Sequence, residues 1–495
     1  MNIKKLKTRK FGLVLVSIQT LLSILFVGLL LHLNILRSSY VVMIALGLLA
    51  IGALVLLSQL PDKLHVVGKI FACMMCVVMV VGSYGVYKTR ATLGKVTGPR
   101  YETDEVSLIV LKEDTAQIVN DAADYIFGYS VNHDKENTDK IIQKLNEELD
   151  KSIATLEVED LESLVEALYS KQVQVIILNE AFRDLLLEFY PDFDKDTKVL
   201  GKYEEVRVVE EETPSPNENT EGTNEHTDST FSVYLSGKDT YGDLTKTSRS
   251  DVNIILTVNT KTKQILLTNT PRDYYVAHPR SGGMLDKLTH AGIYGVKNSK
   301  GALEMLYDTK IKYYLRVNFT SFEEIVDALG GVTVYSDYDF DSIHGGSFVK
   351  GFNEVDGKLA LSFARERYAF ASGDIQRGKN QQYLIKAIIK KAASPSILTG
   401  FTGVMDGIGN NIDTNMTVSE ITDLVKMQLE DAPDWNIVTI GVTGTGASRT
   451  TYSNQKKAGY VMYPNDKEVA AAKKMIKYVL EGKEISEDLF KELKK

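Results

Sequence analysis

Cysteine is almost missing from this chain: Cys73 and Cys76 are the only two in 495 residues, and both lie in an apolar run. Their position excludes a disulfide-stapled secreted domain and a cysteine zinc site in the rest of the protein. Histidine is scarce as well, and the seven present show no metal-ligand spacing. There is no Walker loop, no HExxH and no GxSxG. Acids are all but absent from residues 1–95, which carry eleven Lys/Arg against the single acid Asp62. The remainder reverses this, with 46 Lys/Arg against 64 acids, a net charge of −18. A body that acidic is a poor general nucleic-acid binder, because such affinity comes largely from neutralising phosphates. The overall balance, 44% hydrophobic and 25% charged, is that of a globular chain of roughly two to four domains.

What the first 95 residues do contain is three apolar stretches, Phe11–Leu36, Tyr40–Leu60 and Leu64–Tyr87. Each is long enough to cross a hydrocarbon core of about 30 Å as a helix. A cleaved signal peptide would explain only the first, and nothing like a cleavage site precedes the second. Lys4, Lys5, Lys7, Arg9 and Lys10 place residues 1–10 in the cytoplasm as a short tail. Three spans then put the large domain outside the cell. Lys88, Arg90, Lys95 and Arg100 at the far end oppose this, but the first span dominates orientation. Cys73 and Cys76, at helical spacing, read as packing residues, and His32 and Lys69 as side chains snorkelling to the interface.

The exported part reads as α/β. Residues 105–208 form a small accessory unit with strands at Val106–Leu111 and Val173–Leu178. Helical patterns lie around Asp114–Ile126, Asp139–Ser152 and Glu159–Tyr169. Residues 209–230 are an acidic flexible linker, with seven acids and two prolines in 209–228 and too little apolar area to offset chain entropy. The main domain spans 231–446, with strands at Phe231–Leu235, Val252–Val258, Gln264–Asn269, Tyr314–Phe319 and Val332–Tyr335. A helix over Thr320–Leu329 is expected to be capped by Thr320/Ser321 and stopped by Gly330-Gly331, and a second runs from Asp374 to about Ala393. This mixture predicts α-β-α layers around a central sheet. Residues 447–495 read as a C-terminal helical extension, with a helix near Asp466–Leu480 and a charged tail.

The chemistry converges in the main domain. Folding the hairpin about Lys261 brings Asp251 beside Arg272. Asp239 and Arg249 lie in the loop that leads to the same place. The run Ser362–Tyr368, taken as extended, points Arg365 and Arg367 the same way, and two parallel guanidiniums suit phosphate oxygens. Asp374, Arg377 and Gln381 share one helix face, which continues as Leu384, Ile385 and Ile388 into the core. Lys379 and Lys386 face solvent. The bland alternatives are a simple salt bridge and a surface strand with solvated arginines. Carboxylates that hold Mg²⁺ beside arginines that grip phosphates suit phosphoryl transfer.

The strings LTNTPRDYYV (267–276), DKLTHAGIYG (286–295), VNFTSFEEIVDALGGVTV (317–334) and ARERYAFASGDIQRGKNQQ (364–382) resemble the LytR-CpsA-Psr family. The likeness covers roughly 231–445, and the whole layout is similar to capsule-locus members from Gram-positive bacteria, particularly streptococci. It implies a membrane-anchored phosphotransferase that moves capsular polysaccharide, or teichoic acid as the competing polymer, from an undecaprenyl-pyrophosphate carrier onto peptidoglycan. By the same resemblance Asp239 and Asp251 would hold Mg²⁺. Arg249, Arg272, Arg365, Arg367 and Arg377 would bind phosphate oxygens, with Asp251, Arg272, Arg365 and Arg367 as the catalytic set. Gln381 would fix the head group, and Asp374 would orient arginines or act as base. The lipid tail would lie in an apolar tunnel lined from within 286–334. Other capsule-assembly membrane proteins are possible partners, and a pyrophosphatase side activity is a further expectation. The rival readings are a membrane regulator and a lipid-linked-polymer binder without transfer; direct DNA reading has no helix-turn-helix to support it.

Overall fold

The computed structural model describes residues 9–61, 64–96, 101–209, 229–238, 241–394, 412–431 and 433–495. Most of the 1–10 tail, most of the 209–230 linker and Asp239 therefore lie outside the described residues. Helices α1 (Arg9–Leu33), α2 (Ser38–Ser58) and α3 (His65–Val96) are each long and apolar enough to cross a membrane. Lys69 does not snorkel: it is buried between these helices.

The accessory unit is built on a five-stranded sheet. Its elements are β1 (Tyr101–Leu111), β2 (Ile126–Ser130), α4 (Lys135–Glu148), β3 (Ala154–Val158), α5 (Leu161–Tyr169), β4 (Val175–Asn179), α6 (Arg183–Phe189) and β5 (Thr197–Val208). The strand order is β3-β2-β4-β1-β5, with apolar clusters on both faces. The helix expected over Asp114–Ile126 is not there; only a single turn forms at Val119–Ala122, and Ile126 opens β2. The cause is local. Asp121 accepts from the Gln117 and Ile118 backbone N–H groups, and Asp114 accepts from Ala116, so the acids capture donors that a helix would have used.

The main domain follows as β6 (Thr230–Gly237), β7 (Val252–Asn259), β8 (Gln264–Asn269), α7 (Val296–Tyr307), β9 (Tyr313–Val317), α8 (Phe319–Ala328), α9 (Gly357–Arg365), α10 (Asp374–Ala392), β10 (Asp413–Thr414), α11 (Val418–Asp431), β11 (Asn436–Gly441), α12 (Asp466–Leu480) and α13 (Glu487–Leu493). Six strands make one mixed sheet, ordered β10-β9-β6-β7-β8-β11. The pairs β9/β6 and β8/β11 are parallel, and the remaining pairs are antiparallel. One face packs on α7 and α12 through Tyr234, Ile255, Leu303 and Met475. The other packs on α10 and α11 through Ile385, Ile389 and Leu424. The stretch from 447 thus begins inside a hairpin, Gly444–Arg449 with Gly459–Pro464, and its helix α12 forms a layer of the fold.

One helix start and one run read as extended differ from the sequence reading, and both matter for the site. The cap of α8 is Asn318, whose side chain accepts from Ser321 N at 2.9 Å while Ser321 Oγ accepts from Asn318 N at 2.7 Å. Gly330 and Gly331 end that helix at φ of 72° and 81°, a conformation glycine adopts freely. The run Ser362–Tyr368 is not extended: it is the last turn of α9 and the loop beyond it. Asp356 caps α9, and its Ala360 and Phe363 drop into a core cluster, so helical periodicity wins over alternation there.

The two units are joined by more than the chain. Arg316, 3% exposed, pairs with Glu102 at 3.0 Å and with Asp413 at 2.5 Å. Thr103 N donates to the Thr245 carbonyl at 2.9 Å, and Thr247 N to the Thr103 carbonyl at 3.0 Å. His133 donates through Nε2 to the Ser453 carbonyl at 3.2 Å.

Candidate functional site

A cavity of about 1030 Å³ lies between the sheet and helices α8, α9 and α10. Its inner walls are apolar: Leu235, Leu256 and Leu315 from the sheet face Phe322 and Ile325 of α8 and Ile388 of α10. Its mouth is charged, with Arg249, Asp251, Arg272, Arg365, Arg367, Asp374, Arg377 and Gln381 all in the wall. Every candidate residue except Asp239, which lies outside the described residues, therefore meets in one place. Only part of 286–334 lines the tunnel, namely β9 and α8 from Leu315 to Leu329; the opposite wall comes from α10.

The hairpin β7/β8 works as its register requires. Ile254 faces Asn269, so Asp251 and Arg272 leave the same sheet end. Arg272 Nη1 lies 2.9 Å from Asp251 Oδ1, which also accepts from Thr289 Oγ1 at 3.0 Å. No hydrogen bond among the described residues reaches Asp251 Oδ2. The first turns of α10 approach β8 closely at Gly378, where a Cβ would come within 2.2 Å of Asn269 Nδ2. That approach brings Asp374 and Arg377, which pair with each other, to the mouth beside the positive end of the helix. Asp374 is thus placed to orient Arg377. Gln381 Nε2 donates to the Ala364 carbonyl at 3.3 Å and ties α10 to α9.

Arg365 and Arg367 are held by rings. The Arg365 guanidinium lies 4.3 Å from the centre of Phe319, and that of Arg367 lies 4.7 Å from Tyr368, whose hydroxyl accepts from Arg367 Nη2 at 2.6 Å. Each guanidinium thus lies against an aromatic ring, buried in part for Arg365 and exposed for Arg367. The loop that carries Arg367 is anchored by Glu366, fully buried, which accepts from the backbone N–H groups of Ile343, Tyr368 and Ala369. Burial pushes that carboxyl up, and the backbone hydrogen bonds more than reverse it, leaving it below its ordinary value.

Several wall residues had no sequence signal that assigned them to the site. Asp184 and Glu188 reach the mouth from α6 of the accessory unit, where they pair with Arg249 at 3.0 Å and 3.1 Å. Their i,i+4 spacing is visible in the sequence, but their partner is not. Burial raises the Asp273 carboxyl above its ordinary value. Lys238, buried on the wall, donates to the Leu244 carbonyl at 2.8 Å. Lys379, read as solvent-facing, pairs with Asp337 at 2.7 Å, and Lys386 is half-buried.

Among the described residues no group of three or more His, Cys, Asp and Glu gathers as a metal cage. The residues present still fit a magnesium ion of the kind held by one or two carboxylates plus substrate phosphates, because Asp251 lies in the cavity wall with no hydrogen bond from the described residues to its Oδ2.

The chain is similar to two curated proteins named polyisoprenyl-teichoic acid–peptidoglycan teichoic acid transferase TagU. That of Bacillus cereus is 37% identical over 196 residues, covering 39% of this chain and 63% of its relative. That of Bacillus licheniformis is 38% identical, covering 39% and 62%. The chain thus spans less than two thirds of the length of these relatives. Among solved structures, B. subtilis TagU is 30% identical with a TM-score of 0.41, covering 52% of this chain and 100% of that one. TagT bound to LIIa-WTA is 28% identical with a TM-score of 0.43, covering 54% and 98%. The LytR_cpsA_psr family model matches residues 197–477, more than half of the chain, and the protein therefore belongs to the LytR_cpsA_psr family.

Proposed function

We propose that this protein is a membrane-anchored phosphotransferase that moves a glycopolymer from a polyprenyl-pyrophosphate carrier onto peptidoglycan. The observation that carries this reading is the single cavity whose apolar depth ends at an arginine-lined mouth. A long isoprenoid chain suits the depth, and a pyrophosphate suits the guanidiniums at the mouth. A hydroxyl of peptidoglycan attacks the phosphorus that bears the polymer and forms the new O–P bond, the bond to the lipid phosphate breaks, polyprenyl phosphate leaves, and the hydroxyl proton passes to Asp374 or to the departing phosphate. Arg365, Arg367 and Arg377 balance the negative charge that builds on the phosphate oxygens, and the Asp251–Arg272 pair holds that end of the sheet rigid. Magnesium held by Asp251, with Asp239 as second ligand, would neutralise phosphate charge. The TagU relatives are named for teichoic acid; our reading of the polymer here is capsular polysaccharide, from the layout of three apolar helices and an accessory unit before the main domain, with undecaprenyl pyrophosphate as the proposed carrier. The basic N-terminal cluster orients the spans so that the main domain stands outside the cell.

The full chain in detergent, given a polyprenyl-pyrophosphate-linked glycan, Mg²⁺ and peptidoglycan, is expected to attach glycan covalently. Arg367→Ala should reduce the rate by about 10²-fold or more with an unchanged melting temperature. Tight lipid binding with no attachment by the wild type would instead identify a carrier or regulator.

A further inference from the structure

The accessory unit does more than space the main domain from the membrane. Its helix α6 places Asp184 and Glu188 in the cavity wall, and both engage Arg249. Asp184 Oδ2 takes Nη2 at 3.0 Å and Glu188 Oε1 takes Nη1 at 3.1 Å, so the two ends of one guanidinium are held by different carboxylates. The other oxygen of Glu188 pairs with Lys287 at 2.8 Å, which fixes Glu188 in turn. Burial pushes the Glu188 carboxyl up, but Lys287, His290 and Arg249 overcome that and keep it below its ordinary value, so it is ionised at neutral pH.

A second set of contacts grips the loop on which Arg249 stands. Thr103 exchanges backbone hydrogen bonds with Thr245 and Thr247, Asp104 accepts from Thr247 Oγ1, and Glu105 pairs with Lys246. Ser250 N donates to the Thr289 carbonyl at 3.1 Å at the end of that loop. Strand β1 and helix α6 thus hold the loop and its arginine from two sides.

The donor bookkeeping of Arg249 matches that of Arg377 across the same cavity. Arg377 is held through Nη2 by Asp374, Arg249 through both Nη atoms by α6, and each keeps a buried Nε–H with no acceptor among the described residues. A buried donor without an acceptor in a native structure calls for an explanation. A phosphate oxygen arriving with the ligand supplies one.

We propose that Asp184 and Glu188 are positioning residues of the pyrophosphate site: the accessory unit presets Arg249 for the anion, and the site is complete only with α6 seated against it. The inference rests on the pyrophosphate reading above. Its physical content is preorganisation: a guanidinium already locked in one orientation gives up less freedom when the anion binds. The two carboxylates lie outside the family-matched segment 197–477, so this is a feature the accessory unit brings to the site.

The test is binding of geranylgeranyl pyrophosphate to the full chain in detergent, for wild type, Glu188→Gln, Asp184→Asn, Arg249→Ala and the Arg249→Ala/Glu188→Gln double variant. Melting temperatures serve as the check on folding. Each carboxylate variant is expected to weaken binding by about tenfold with little change in melting temperature. Glu188→Gln should have no further effect once Arg249 is alanine, which a purely structural role would not produce. Unchanged or tighter binding by both carboxylate variants overturns the proposal, as does an undiminished Glu188→Gln effect in the Arg249→Ala background. If the wild type itself fails to bind, the pyrophosphate reading falls and this inference with it. If the wild type binds and the carboxylate variants bind as well, this inference alone falls.

Discussion

The charges at the cavity mouth are balanced in different ways, and the difference sets which were visible beforehand. Asp251 and Arg272 meet because an antiparallel hairpin of known register must bring its two ends together, so their 2.9 Å contact follows from local sequence. Arg365 and Arg367 do not stand side by side on an extended run: the backbone there is helical and then looped, and the guanidiniums lie against the rings of Phe319 and Tyr368. Lys238 had no signal at all, because nothing local reveals that a lysine will be buried. Burial, and after it the charge of Arg316, pulls Lys238 down to about 7. A lysine whose folded value lies below its unfolded value of about 10.4 binds fewer protons when folded. It therefore opposes folding at low pH, and that cost fades as pH rises through the window between the two values. Lys238→Met should raise the melting temperature most below a pH of about 7, with the advantage shrinking toward pH ~10. An advantage independent of pH would show that Lys238 does not titrate in this way.

At the scale of elements, α8 and α10 do two jobs with one apolar stripe each. Phe322 and Ile325 of α8, with Leu329 at its C-cap, read as an ordinary core face, and periodicity alone cannot tell a face that packs on protein from one that lines a channel. The stripe of α10 begins polar at Asp374 and Arg377 and turns apolar at Leu384, which the sequence showed plainly and the cavity wall repeats. Since α8 contributes apolar wall but no charge to the mouth, Ile325→Glu should act on the lipid tail and spare the head group. Affinity for a long polyprenyl pyrophosphate is expected to fall by about tenfold or more toward that of a short-chain analogue. Equal losses for long and short chains would place the lesion at the mouth instead. The boundaries of these helices were less legible than their faces: Asn318 rather than Thr320 caps α8, because the cap is decided by which side chain reaches Ser321 N.

Across the whole molecule, the accessory unit, the main domain and the apolar N-terminal helices share contacts that no single segment announces. Arg316 of β9 is buried between Glu102 of β1, 214 positions before it, and Asp413 of β10, 97 positions after it. Removing one member of such a buried network leaves the others unpaired in a poor solvent for charge. Arg316→Ala is therefore expected to lower stability by about 3–5 kcal/mol, read as a large drop in melting temperature, whereas an exposed pair such as Lys171–Glu113 would barely register. Leu33, Ile35 and Leu93, at the ends of the apolar N-terminal helices, pack with Leu329, Ile421 and Val425 of the main domain, and Leu329 also lines the cavity. The apolar wall of the cavity is thus continuous with the cluster at the ends of the N-terminal helices. What the sequence determined by itself was whatever depends on short-range geometry and bulk composition: three apolar spans, the α/β alternation, the hairpin that joins Asp251 to Arg272, and the motifs that mark the family. Only the tertiary structure decided that α8 walls a channel, that Lys238 and Arg316 are buried, and that α6 reaches Arg249. Those outcomes depend on which distant surfaces exclude water from one another, and no window of neighbouring residues contains that information.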